Sequence, residues 1–373
     1  MRVITSFSVL FFLLWSCASD QDHQENEAKL LTAPDMPSET GYFNDHFEVA
    51  EIIQIQTNED FLISDIKKMI RYKDKIILLS GANNSVFVIK ASDGTILTGI
   101  NKIGTGPGES KTIIDIAFDE SSEQILIYND YYKLLFFDMQ GTFLSEIKVD
   151  GTFEGISWYD EEVFFHSKLE GYSCYPYLLK AFNQKDNVWK EIGDNRKVDF
   201  PIRSVGRQMV RSKHLWFTAP LDFNLFYFGG NQVSVPYHVS LPNAGLDERL
   251  VKESISNPQK FFEAVAGKQL NYAINSVRET TGYLIFRANQ RGIFMMDKKE
   301  NMLYWETSVK ADKLGVELTN YYPHDGDDDK IMFVLPAETY IRQLEANPDR
   351  RTMALDVKED DNPILVFYKQ IGA

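Results

Sequence analysis

The sequence is short of cysteine, histidine and positive charge, and each shortage excludes a class of protein. Two cysteines, Cys17 and Cys174, stand among 373 residues. They make no disulfide framework and no Cys-x-x-Cys pair for metal or redox work. The six histidines (His23, His46, His166, His214, His238 and His324) are scattered without metal-ligand spacing, and no His-Glu-x-x-His occurs. No Gly-x-Ser-x-Gly elbow marks a serine hydrolase. Lys and Arg number 39 against 54 Asp and Glu, a formal net charge of −15. Such a chain repels phosphate backbones, and it has no Lys/Arg-rich block, which argues against a nucleic-acid partner. Beyond the first residues, no apolar run is long enough to span a bilayer.

What is present begins with an export signal. Arg2 precedes a mostly apolar run from Val3 to Trp15, too short for a permanent transmembrane helix. The run closes on Leu14-Trp15-Ser16-Cys17, which resembles a lipobox, with Trp15 departing from the usual small or aliphatic residue. An ordinary signal peptide or an uncleaved anchor is the competing reading. We therefore expect a lipoprotein signal peptide over residues 1–16, with lipid on Cys17 giving a multi-chain membrane anchor. Cys174 is then left as a small buried hydrophobe. The polar, acidic stretch from Ala18 to Glu27 opens an expected solvated tether over 17–43, lasting to about Gly41. Acidic residues after the Cys resemble the surface-export signals of Bacteroidota lipoproteins. The expected address is the outer membrane, facing the periplasm or displayed on the surface.

From residue 44 to 373 the chain repeats. Lys75–Leu79, Ser85–Ile89 and a run ending at Leu97 are apolar and β-rich, with a turn at Gly94. Gln124–Tyr128, Lys133–Asp138 and a run around Phe143 repeat that grammar with a turn at Gly141. Weaker turns follow at Asn187, Asn231 and Asn301. Most spacings are close to 45 residues, the length of one four-stranded propeller blade. The last is about 25 residues longer, and Leu246 to Lys268 carries helix-type spacing (Leu250, Ile255, Phe261, Phe262, Val265) that accounts for the excess. A second helical insertion is expected over Ala337–Asn347, stopped by Pro348. The sixth unit, built on Lys330–Leu335 and Pro363–Tyr368, lacks a final strand, and the alternating segment Phe47–Ile55 can supply it. The expected fold is all-β: a six-bladed β-propeller with two short helical insertions, closed by an N-terminal strand. A decorated β-sandwich is the alternative.

Three features carry a family resemblance: Gly104-Thr105-Gly106-Pro107-Gly108-Glu109 after a strand, the Phe137-Asp138…Gly141 units, and the ending Asp361-Asn362-Pro363-Ile364-Leu365-Val366-Phe367-Tyr368-Lys369. Together they resemble the six-bladed β-propeller lipoproteins of Bacteroidota, related in shape to NHL-repeat and TolB-type propellers. The resemblance implies fold and address from about residue 45 onward, and assigns no catalytic residues.

Candidate chemistry is sparse. The Gly104–Gly108 loop lacks the Gly-Lys-Ser of a phosphate cradle, Pro107 removes an N–H, and a strand rather than a helix follows; a tight crossover between blades one and two is expected. Glu109 is a candidate for a binding face there. Asp325-Gly326-Asp327-Asp328-Asp329 has the oxygen density calcium prefers, with Asp325, Asp327 and Asp329 as weak metal candidates, yet it is no EF-hand loop and reads as a solvated acidic turn. Tyr131-Tyr132 and Tyr321-Tyr322 are candidate stacking platforms for sugar rings, weighed against ordinary packing between blades. No cofactor is expected. These features suggest a non-catalytic binding propeller for an envelope protein or a glycan. The alternative is a propeller hydrolase, lyase or metal-dependent lactonase with carboxylates at the central channel. The two are told apart by whether acidic groups meet one another or a histidine at the channel mouth.

Overall fold

The computed structural model describes residues 28–38, 41–58, 61–63, 65–167, 177–194, 206–219, 221–244, 257–268, 270–289, 292–348, 353 and 355–372. The strand runs that carry the repeat are apolar at consecutive positions because both of their faces are covered. In Lys75–Ser80, Ile76 and Leu78 enter one cluster with Phe367 and Leu365, while Ile77 and Leu79 enter another with Phe118 and Ile127. Side chains alternate across a strand, so one face packs on the preceding blade and the other on the next.

Short strands β1 (Lys29–Thr32) and β2 (Phe47–Gln54) flank helix α1 (Tyr42–His46). Blade one is β3 (Ile66–Tyr72), β4 (Lys75–Ser80), β5 (Ser85–Lys90) and β6 (Ile96–Ile100). Blade two is β7 (Ile113–Asp119), β8 (Gln124–Asn129), β9 (Lys133–Phe137) and β10 (Phe143–Lys148). Blade three is β11 (Phe153–Tyr159), β12 (Glu162–Ser167), β13 (Tyr177–Asn183) and β14 (Val188–Asp194). Blade four is β15 (Met209–Arg211), β16 (Leu215–Phe217), β17 (Asn224–Gly229) and β18 (Gln232–Ser240). Helix α2 (Pro258–Lys268) precedes blade five, which is β19 (Ile274–Glu279), β20 (Tyr283–Ala288), β21 (Ile293–Asp297) and β22 (Met302–Glu306). A hairpin of β23 (Val309–Ala311) and β24 (Val316–Leu318) leads to blade six. Its strands are β25 (Lys330–Leu335), β26 (Ile364–Gln370) and the returning β2, with helix α3 (Ala337–Ala346) inserted between β25 and β26.

The fold is therefore the expected six-bladed propeller, closed by β2 pairing antiparallel with β26 from Phe47↔Gln370 to Gln54↔Ile364. Six apolar clusters lie one between each pair of neighbouring blades, including blades six and one, so the ring is continuous. The repeat turns adopt one conformation: Gly94, Gly141, Asn187, Asn231 and Asn301 all have left-handed φ, from 53° to 78°. Gly and Asn tolerate that region, which explains their recurrence there. Of the first helical insertion, residues 258–268 are a helix, and 245–256 lie outside the described residues. Among the described residues no helix is long and apolar enough to cross a membrane.

Two expectations are corrected. The expected tether over 17–43 is not free throughout: the described residues from Lys29 to Ala33 are bound to the ring. Strand β1 adds to blade four in parallel, Lys29↔Tyr237 to Thr32↔Ser240, and Leu31 is 1% exposed. An outer strand presents unpaired N–H and C=O groups, and an apolar segment such as Leu30-Leu31 covers that edge at little cost. Helix α1 likewise buries Phe43 between blades five and six. The second correction concerns the acidic run. Tyr322 N–H donates to the Met332 carbonyl at 2.9 Å, Val334 N–H donates to the Asn320 carbonyl at 3.1 Å, and Asp325 bridges Ile70 of β3 in parallel. Residues 320–325 are therefore the irregular innermost strand of blade six. Asp325 is 2% exposed, at the centre of the ring rather than on a solvated turn.

Candidate functional site

The innermost strands are apolar except where they face the channel. Lys68 on β3, Asp115 on β7, Ser157 on β11, Arg211 on β15 and Arg278 on β19 interrupt their strands there. Asp325 is the hub. Its Oδ1 accepts from Arg207 Nη2 at 2.9 Å and from the Arg211 backbone N–H at 3.1 Å; its Oδ2 accepts from Ser157 Oγ at 3.1 Å and lies 3.5 Å from Lys68 Nζ. Lys68 is 1% exposed and donates to Asp115 Oδ2 at 3.0 Å and to the Ile156 carbonyl. Burial alone would raise the Asp325 carboxyl, but Arg207 and Lys68 outweigh it and hold the group ionised, well below the usual carboxylate range.

Below this hub sits a second layer. Arg278 is fully buried and donates to the carbonyls of Lys330 at 2.8 Å, His324 at 2.6 Å, Gly326 at 3.3 Å and Asp328, and to Asp328 Oδ1 at 2.6 Å. His324 Nε2 meets the same Asp328 oxygen at 2.7 Å, and the Arg71 Nε lies 3.5 Å from Asp328 Oδ2. Burial, followed by the nearby Arg278 charge, lowers His324 to about 4, so its ring is neutral at pH 7. The two layers of ion pairs fill the middle of the channel.

The plug leaves one mouth as a cavity of about 600 Å³ among blades two, three and four. Asp115, Asp130, Glu154, His166, Arg207 and Tyr132 line it. His166, on the second strand of blade three, is 2% exposed, and its Nδ1 has no hydrogen-bond partner among the described residues. Glu154 Oε2 stands 3.7 Å away, too far for a hydrogen bond. The charged neighbours are committed: Asp115 Oδ2 to Lys68 and the Ile156 N–H at 2.8 Å, Arg207 to Asp325, and Asp130 Oδ1 to the Thr112 N–H at 3.1 Å. Tyr132 is 43% exposed on the blade-two loop, with φ of 56°. Asn129 fixes that loop, its Oδ1 accepting from the N–H groups of Tyr131 at 3.1 Å and Lys133 at 3.0 Å.

The residues singled out from sequence are thus dispersed. Tyr132 lines the mouth, and Tyr131 precedes it on the same loop. Glu109 turns back on its own crossover loop, its Oε2 accepting the Gly106 N–H at 2.9 Å. Tyr321 is fully buried, its hydroxyl donating to the Ser276 carbonyl at 3.1 Å, and so presents no stacking face. Tyr322 is half-buried beside another cavity. Asp325 is neutralised by cations, Asp327 is 3.7 Å from Arg211, and Asp329 binds Thr281. Among the described residues no three His, Cys, Asp or Glu side chains gather to hold a metal. Cys17 and Cys174 lie outside the described residues. Lys68, Asp115, Glu154, His166 and Arg207 were not singled out as candidates. Their signal is faint but real: single polar residues inside short apolar strands, Asp115 and Lys68 about one repeat apart.

A family model described as a domain of unknown function, DUF4934, matches residues 33–369. The chain belongs to the DUF4934 family. No curated protein matches it. Among solved structures it is similar to a Bacteroides fragilis protein described as exported, at 16% identity over 92% of this chain and 99% of that one, with a TM-score of 0.72. It is also similar to a DUF4221-family protein of Bacteroides vulgatus, at 10% identity over 88% and 99% of the two chains, with a TM-score of 0.56. At these identities the likeness is one of fold. The match to the DUF4934 model begins at residue 33, just after β1, and includes all six blades.

Proposed function

We propose that this DUF4934 propeller is an exported, lipid-anchored envelope protein that captures a saccharide at the channel mouth of blades two to four without converting it. The observation that carries the reading is His166: a buried imidazole whose Nδ1 lacks a partner is a costly arrangement unless a ligand or solvent completes it. Around it stand the carboxylates of Glu154 and Asp130 and the exposed ring of Tyr132, polar groups and an apolar face of the kind that a sugar requires.

Catalysis has weaker support. The mouth does bring carboxylates toward a histidine, as an enzyme would need. Yet Asp115 and Arg207 are locked in ion pairs, and Glu154 and His166 are not within hydrogen-bond reach of each other. A glycan array followed by calorimetry on the hit tests the reading. We expect His166→Ala and Tyr132→Ala each to weaken binding about tenfold or more, the effect of losing one hydrogen bond or one stacked ring. Wild-type binding unchanged in both variants refutes the site, and release of a cleaved product refutes the non-catalytic assignment. The anchor is supported by Leu14-Trp15-Ser16-Cys17 alone. Cys17→Ser is expected to move the protein from the membrane to the soluble fraction, and its retention in the membrane refutes lipidation at that residue.

A further inference from the structure

We infer that Arg287 marks a second binding site, selective for a hydroxylated monocarboxylate of the hexuronic acid class, on the same face of the ring but across the channel from the mouth. Arg287 lies near the end of β20 and lines two adjoining cavities, about 760 and 590 Å³, which also share Asn320, Val334 and Pro336. Inner strands begin, and second strands end, on one face of an antiparallel blade. The second cavity also reaches Asp65 and Ile66 at the start of β3. Both cavities therefore open on the face that carries His166 and Tyr132, but over blades five, six and one.

The argument turns on what Arg287 lacks. Arg207, Arg211 and Arg278 each pair with a carboxylate at 3.0 Å or closer. Arg287, by contrast, is on the second strand of blade five, is half-buried, and has neither a hydrogen bond nor an ion pair with any described residue. Its burial destabilises the charged form and lowers its pKa. A guanidinium taken partly out of water without a counter-ion is costly, and a planar oxyanion received by its fork of N–H groups removes that cost.

The surroundings select the anion. Glu317 lines one cavity; Asp65, Glu338, Glu359, Asp360 and Asp361 line the other. Those carboxylates oppose a dianion such as phosphate more strongly than a singly charged carboxylate that reaches the Arg287 fork directly. The remaining polar lining is neutral: Thr307, Ser308, Thr319, Asn320 and Thr339 supply hydroxyls and an amide. That lining suits the hydroxyl groups of a sugar acid better than an aliphatic carboxylate, whose chain would bury against polar atoms.

The test is calorimetric titration of the full-length protein with sodium D-glucuronate, D-glucose and inorganic phosphate as separate probes. We expect glucuronate to bind and to raise the melting temperature, with glucose and phosphate bound at least about tenfold more weakly. Arg287→Gln is expected to weaken glucuronate by about tenfold or more, while Arg287→Lys retains part of the affinity as a point charge without the fork. His166→Ala leaves glucuronate unchanged, which separates this site from the mouth: loss in His166→Ala but not in Arg287→Gln places the ligand at the mouth and overturns the inference. Equal binding of glucuronate and glucose, or phosphate binding more tightly than glucuronate, overturns it as well. Without ligand, Arg287→Gln should melt no lower than wild type, because it removes an uncompensated charge. A fall of several degrees shows that Arg287 has an internal partner, and refutes the premise.

Discussion

Arg278 is predicted to be the residue on which ring closure most depends. Its guanidinium donates to four carbonyls of the 324–330 segment and to Asp328, and it is 0% exposed. Those carbonyls belong to the innermost strand of blade six and the turn after it, which make few regular ladder bonds, so one side chain from blade five replaces much of a missing ladder. In Arg278→Gln the amide can serve at most two of these acceptors. The rest lose their Arg278 donor, and the half-buried Asp328 carboxylate keeps only His324 and Arg71 beside it. Breaking a buried pair by removing one partner costs about 3–5 kcal/mol. At roughly 2 °C per kcal/mol for a chain of this size, the melting temperature should fall by about 6–10 °C. Thermal melts followed by far-ultraviolet dichroism and by tryptophan fluorescence measure it. Lys73→Ala, which removes an exposed pair with Glu123, is the control and should change stability by less than about 1 kcal/mol. An Arg278→Gln protein melting within a degree of Lys73→Ala would refute the view that side-chain donors hold blade six in the ring.

Three further outcomes follow from the same geometry. His324 has a folded pKa near 4, below its ordinary value, so the unfolded chain takes up a proton that the folded one refuses between those values. Stability should be full above about pH 6.5 and decline as pH falls toward 4, by on the order of 3 kcal/mol. His324→Gln should flatten that decline, and an unchanged pH profile of the melting temperature would refute the assignment. Asp325 and Asp328 are held below the usual carboxylate range, so their contribution is lost only at lower pH, below about 4. Leu31→Ala removes a side chain 1% exposed between blades four and five, and should cost about 2–4 kcal/mol in urea denaturation. A change under about 0.5 kcal/mol, as for a surface residue, would mean that β1 does not stay on the edge of blade four.

The ring was legible in the sequence because blades are built from features that a single chain displays. Runs such as Lys75–Ser80 and Lys133–Phe137 are apolar on both faces, and the left-handed turns at Gly94, Gly141 and Asn301 carry the residues that adopt that region most readily. Even the closing strand was visible, since Phe47–Gln54 supplies what Ile364–Gln370 lacks on one edge. The plug was not legible. Asp325 reads as one of a run of acids following a pair of tyrosines, and only the ring brings it to Lys68 and Arg207, whose partners are more than a hundred residues away in sequence. The same holds for His166 and Arg287, where the decisive property is a missing partner. A missing partner is a fact about space, and no spacing rule encodes it. Strand β1 was hidden for a different reason: four residues of moderate apolarity beside a polar stretch resemble a linker until an open strand edge is known to lie next to them.

The position of the plug constrains how such a ring can work. Two layers of buried ion pairs close the channel through its centre, and Lys68, Asp325 and Arg278 are each at most 2% exposed. A ligand therefore cannot pass through, and the two faces are chemically separate. On one face, Arg211 pairs with Glu120 and Asp327 while Arg71 and Lys330 both pair with Glu51, so cations and anions there are largely matched. On the other, His166 Nδ1 and the Arg287 guanidinium are unmatched among the described residues, on opposite sides of the same opening. Electrostatic cost left uncompensated in the apo protein is binding energy held in reserve. Arg71 Nη1 and His324 Nδ1 are also buried without partners, but His166 and Arg287 line open cavities, which assigns recognition to that face. A charge-reversing substitution at Glu51 should accordingly lower stability and leave ligand affinity intact, whereas His166→Ala and Arg287→Gln should weaken ligand binding.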